Sequence, residues 1–162
     1  MAERKLAEVV ALKGGSAPQG AGLGAQDAGS ELASLLSASP VVAETIPGAE
    51  AERMLQLLRS CGFAANAAGD YEAASNWFDC SFAVSSALSD LVSAANMRAK
   101  LLATSPVAAL IYRHALQAAG AAAKVSEVAQ RKLSALEAAV ATAAKETAHT
   151  STAGDIAYET NA

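Results

Sequence analysis

The chain has 162 residues, of which 52% are hydrophobic but only 4% aromatic, and its formal net charge is −4. Its 12 Lys and Arg residues are scattered rather than clustered, which argues against a nucleic-acid partner. No apolar run reaches the roughly 18 residues of a transmembrane helix, so membrane insertion is not expected. Most of the apolar content is alanine, which favours helix and buries little surface, and the chain reads as all-α.

Residues 1–13 form a short amphipathic stretch with Leu6, Val9 and Val10 on one side, and lack the apolar core of a secretory signal. A cytoplasmic address is the default. Residues 14–29 carry six glycines and a proline and read as a flexible linker. Leu32, Leu35 and Leu36 mark a marginal helix over 30–38 that leans on the domain, bounded by Pro40 and Pro47. Residues 1–48 are thus expected to be a flexible, Gly-rich segment with short helices.

Five main helices follow. Met54, Leu55, Leu57, Leu58, Cys61 and Ala65 recur at helical spacing up to Gly69. Asp70 is a natural N-cap for the second helix, over 71–85. A third, over 87–103, has a poorly punctuated start. Ser105 and Pro106 open a fourth that stops at Gly120. The fifth, over 121–146, carries Val125, Val128, Leu133, Leu136 and Val140, and 147–162 reads as a disordered tail. Residues 49–146 are expected to fold without their flanks. Cys61 and Cys80 fit no metal motif; they read as free thiols, although a disulfide across neighbouring helices is geometrically conceivable.

Small and aromatic positions echo at a spacing of 34: Gly62 and Asn96, Ala74 and Ala108, Phe78 and Tyr112. With Leu55 as its first position, a repeat over 55–88 places Leu58, Gly62, Gly69, Ala74 and Phe78 where the tetratricopeptide repeat family has its signature residues. The chain resembles that family over 49–146. A second repeat from Ser89 matches at Val92, Ala108, Tyr112 and Ala115, with Asn96 in place of a small residue. Ser81 stands where alanine is usual, and Ala103 and Thr104 stand where glycine and an acidic residue are usual. A third repeat fails, because the helix after Gly120 runs through its turn. That helix resembles a terminal cap. The resemblance implies antiparallel helical hairpins stacked as a short α-solenoid.

The same resemblance implies a concave groove lined by the first helix of each hairpin. Its positions fall on Gln56, Arg59, Phe63 and Asn66, on Asp90, Ser93, Met97 and Lys100, and on Lys124, Glu127 and Arg131 of the last helix. The family's clamp for a peptide carboxylate is incomplete. Arg59 and Lys124 stand at two of its basic places, but Phe63, Ala94 and Val128 occupy the others. Phe63 and Met97 among basic residues suit an extended or helical segment with apolar anchors and acidic character. Arg59, Lys100 and Lys124 are expected to keep their charges in water, so that reversing them spares the fold.

No residue set points to chemistry. Gly20 to Ala25 satisfies G-x-G-x-x-[GA] but follows no strand, so it reads as linker rather than as a dinucleotide site. His114 and His149 lack a nucleophile and an orienting carboxylate in the pattern. Asp70 and Glu72 suit a helix N-terminus. Neither cofactor nor metal is expected. The chain reads as a non-enzymatic adaptor or scaffold that binds a peptide or helix of another protein. The rival reading is a structural subunit of a larger assembly, with self-association open in either case.

Phe78→Ala should destabilise the protein by roughly 3–5 kcal/mol, the range for truncating a buried aromatic. Tyr112→Ala, 34 residues on, should do the same, and unchanged thermal melts in both would remove the 34-residue register.

Overall fold

The computed structural model describes residues 25–43, 48–101, 106–118 and 120–154, with side chains over 28–37, 48–101, 106–118 and 120–146. The described residues are all helical apart from short connections: α1 (Ala25–Ala43), α2 (Gly48–Ala67), α3 (Tyr71–Ser85), α4 (Leu88–Leu101), α5 (Pro106–Gln117) and α6 (Ala123–Gly154). Each of α2 to α5 packs on the helix that follows it. In addition α1 lies on α3 and α5, and α4 touches α6.

The connections follow from local chemistry. Gly69, at φ +80, ends α2 in the left-handed conformation that glycine adopts without strain. The Asp70 and Gly69 amides bond back to the Ala65 and Asn66 carbonyls, a Schellman closure. Asp70 then turns from stop to start, its carboxylate accepting from the Ala73 amide at 3.0 Å to cap α3. The poorly punctuated start of α4 is built by two side chains instead of one. Ser85 Oγ accepts from the Ala87 amide and donates to Asp90 Oδ2 at 2.7 Å. Between them Ser86 sits at φ 54, in the left-handed region, and its amide closes α3 on the Phe82 carbonyl.

Small residues set how closely the helices approach. A Cβ on Gly62 would lie 3.0 to 3.1 Å from the Phe78 ring, so any side chain at this crossing of α2 and α3 would have to push the buried ring aside. The equivalent positions 34 residues on, Asn96 and Tyr112, solve the contact differently: the Tyr112 hydroxyl donates to Asn96 Oδ1 at 2.9 Å. Burial pushes the Tyr112 phenol up to about 12. Ala74 and Ala108 are both fully buried, as are Ser81 and Ala115. The Ser81 hydroxyl has no hydrogen-bond partner among the described residues, in a place where alanine would leave no polar group stranded.

The largest cluster of buried residues joins Phe82 of α3, Leu91, Val92 and Ala95 of α4, Ile111 and Tyr112 of α5, and Leu133 and Leu136 of α6. Ala28 and Leu35 of α1 belong to it too, with Leu32 and Leu36 packed against it. A polar tie adds to this contact. Arg98 holds the fully buried Asp79 carboxylate through two bonds of 2.7 and 3.0 Å, and reaches Glu31 of α1 at 3.0 Å. Burial works against the Arg98 charge, yet Asp79 and Glu31 outweigh it and hold the guanidinium above its ordinary range.

Two expectations change, and the reading of the cysteines holds. The segment read as a marginal helix over 30–38 is a 19-residue helix that runs through Pro40 and takes in the last residues of the expected linker, 25–29. Packing therefore does not stop at residue 49. The helix expected to end near 146 continues to Gly154, because no glycine or proline interrupts it sooner; of the expected tail, 155–162 lies outside the described residues. Cys61 and Cys80 are free thiols. The amphipathic stretch 1–13, the remaining linker up to residue 24 and Ser105 also lie outside the described residues.

A chain trimmed to 49–146 should melt well below the full chain, since it exposes Phe82 and Ile111 and strips Arg98 of one of its two carboxylates. Equal melting temperatures would show that α1 adds nothing to stability.

Candidate functional site

The residues expected to line a groove lie on α2, α4 and α6, and two pairs of them meet. Arg59 of α2 grips Asp90 of α4 in a fork, Nε to Oδ1 at 2.9 Å and Nη2 to Oδ2 at 2.7 Å. About two turns further along α2, Asn66 Oδ1 accepts from Lys100 Nζ at 2.7 Å. The pairs are 31 and 34 residues apart, so the two helices are laced along their shared face.

Arg59 is not a free cation. Its bond to Asp90 raises the guanidinium above its ordinary value, with Glu52 adding a smaller push in the same direction. The Arg59 side chain is 35% exposed and that of Asp90 only 6%. Asp90 also accepts from Ser85, so one carboxylate joins the start of α4 to α2. The expectation that Arg59 is solvated and dispensable fails on this point: removing it would leave Asp90 buried and short of a countercharge. Lys100 is exposed; its ammonium donates to Asn66 and sits 4.6 Å from the Tyr71 ring centroid.

Phe63 is 61% exposed, the most open large apolar side chain among the described residues, and meets the Phe78 ring edge-on at 5.3 Å between centroids. A ring held at one edge and open on its remaining surface is a rigid apolar contact for a ligand. Met97 is not available in the same way. It is 7% exposed and packs with Ala74, Phe78 and Ala94, because α3 covers the side of α4 on which it stands. Ser93 is half-buried and its hydroxyl bonds the Ser89 carbonyl within its own helix. Lys124, Glu127 and Arg131 are exposed on α6. The structure thus pairs Arg59 with Asp90 and Asn66 with Lys100, and sets Phe63 against Phe78.

The Asp79–Arg98–Glu31 tie escaped the sequence reading. Its one trace is an acid inside the apolar stretch 77–84, and that trace names no partner because Arg98 and Glu31 lie far along the chain. Trp77 is partly buried against the cluster that Met54, Leu55 and Leu58 of α2 form with Cys80 and Val84 of α3. His114 is half-buried in the last turn of α5. Among the described residues no group of His, Cys, Asp and Glu is arranged to hold a metal ion. No helix there is long and apolar enough to cross a membrane. Comparison with family models, curated proteins and solved structures finds no match for this chain.

Arg59→Glu should cost stability, by roughly 1.5–3 kcal/mol, the range for a hydrogen bond to a charged group. Lys124→Glu should leave the melt within about 0.5 kcal/mol, as surface substitutions do. A silent Arg59→Glu melt would mean that the fork adds nothing to the fold.

Proposed function

We propose that this chain is a non-enzymatic protein-binding module. In this reading α2–α3 and α4–α5 are two antiparallel hairpins of the tetratricopeptide kind, stacked as a short α-solenoid. α6 caps the stack, and α1 braces the side formed by α3 and α5. The observation that carries it is the lacing of α2 to α4 through Arg59–Asp90 and Asn66–Lys100. Side-by-side first helices are what stacking of hairpins requires. The paired solutions at Gly62/Phe78 and Asn96/Tyr112 support the same 34-residue frame.

The shared face of α2, α4 and α6 is then the binding groove. Phe63 supplies an apolar anchor, and Lys100, Lys124 and Arg131 supply positive charge that no internal carboxylate is seen to neutralise among the described residues. An extended or helical segment with an apolar side chain and flanking acids fits that set. The two free thiols suit a reducing compartment, so the cytoplasm is the proposed setting. A structural-subunit reading draws support from Leu57, Leu101 and Val140, large apolar residues each about half exposed.

The test is to compare what wild type and two variants capture from native lysate, followed by calorimetry with the protein recovered. Phe63→Ala should weaken binding at all salt concentrations, as loss of a central apolar contact does. The triple change of Lys100, Lys124 and Arg131 to glutamate should weaken it most at low salt, because charge attraction is screened as salt rises. Unchanged binding in both variants would move the reading to the subunit alternative.

A further inference from the structure

The helix α1 divides into an inward and an outward face. Ala28 and Leu35 are buried, Glu31, Leu32 and Leu36 are half-buried, and Gly29, Ser30, Ala33, Ser34 and Ser37 are exposed. The inward set has the spacing of one face of a helix. It lies on α3 and α5, which contribute Phe82, Val107, Ala108 and Ile111 to the same buried cluster. Glu31 adds a contact of 3.0 Å to Arg98 of α4, whose fork already holds the fully buried Asp79. The seat under α1 therefore keeps its arginine paired with or without Glu31.

The outward face gives α1 little stability of its own. Serine and glycine are poorer helix formers than alanine, and Ser37 Oγ donates back to the Ala33 carbonyl, which competes with the helical ladder. A Cβ on Gly29 would meet nothing within 4 Å, so packing does not require glycine there. Without its seat such a sequence forms little helix, because most helical stability in proteins comes from packing. We propose that the α3–α5 seat is a docking site for an amphipathic helix of another protein, with α1 as the built-in competitor which that helix displaces. The partner's pattern follows from α1: a small residue in the place of Ala28, an acid in that of Glu31 to meet Arg98, and apolar residues in those of Leu32, Leu35 and Leu36. A second copy's α1 brings no stronger helix, and the tethered α1 competes at an effective concentration on the order of mM. A foreign helix prevails by carrying helix formers where α1 has Gly29, Ser30, Ser34 and Ser37. The inference does not depend on the groove of α2, α4 and α6.

The test uses the full chain and a labelled synthetic peptide of residues 25–43 that carries Gly29→Ala, Ser34→Ala and Ser37→Ala. Fluorescence anisotropy should show this peptide binding the Leu35→Asp chain roughly tenfold more tightly than the wild-type chain, because a charge at that buried position expels the competing α1. The same peptide with Glu31→Lys should lose most of that affinity. Hydrogen exchange in the wild-type chain should be roughly tenfold faster or more for the α1 amides than for those of α5. Gly29→Ala in the chain should slow α1 alone, by roughly two- to fivefold. Failure of the peptide to bind a Leu35→Asp chain that still melts cooperatively overturns the proposal. So does α1 exchange as slow as that of α5, which decides the matter if Leu35→Asp does not fold. A wild-type chain that dimerises at micromolar concentration, and that Leu35→Asp makes monomeric, overturns it too by assigning the seat to a second copy.

Discussion

Helices as rich in alanine as these gain stability only where their backbones come close and a few larger side chains fill the remaining space. That constraint shapes the whole molecule. Gly62 brings α2 onto the flat of Phe78, and Ala74 and Ala108 keep the neighbouring contacts equally close. Phe78, Tyr112, Leu58, Leu91 and Ile111 then supply most of the bulk, and all five are almost fully buried. With so little side-chain volume to share, the core is specified by a small number of fits, and each of them sits at a helix crossing.

Polar ties do the remaining work of choosing which helices meet. Arg59–Asp90 joins α2 to α4, and Arg98 joins α4 to α3 and to α1. Both arginines use their planar fork on a carboxylate that is almost wholly removed from water, Asp90 in one case and Asp79 in the other. Buried pairs of this kind add little net stability over apolar residues of the same size. Their effect is directional: a carboxylate buried at Asp79 is tolerable only with Arg98 against it. The face that carries Arg59 and Lys100 is therefore tied together by its own side chains. Phe63 and the lysines are left to make contacts outward.

Much of the order of helices was legible beforehand, because it depends on neighbours in sequence. Asp70 as cap, Gly69 as stop and Pro106 as start are local signals, and each acts where it stands. The apolar spacing along α2, and the recurrence of Gly62 and Phe78 as Asn96 and Tyr112, likewise required no knowledge of the fold. Within the site, Phe63 was expected on an open face through the resemblance to the tetratricopeptide repeat, and it stands 61% exposed.

What only the tertiary structure decided is where each polar group spends its charge and which helix covers which. Arg59 read as solvated because no acid stands within a helical turn of it; its partner lies 31 residues away. Met97 read as part of an open surface, but α3 buries it. Residues 30–38 read as marginal because three leucines and a proline promise little by themselves. The α3–α5 surface and Arg98 make them part of a 19-residue helix. Sequence alone determined the local elements and the period, through propensity, capping and spacing. Long-range pairing determined the site, because a charge or an apolar face takes its role from whatever the fold sets against it.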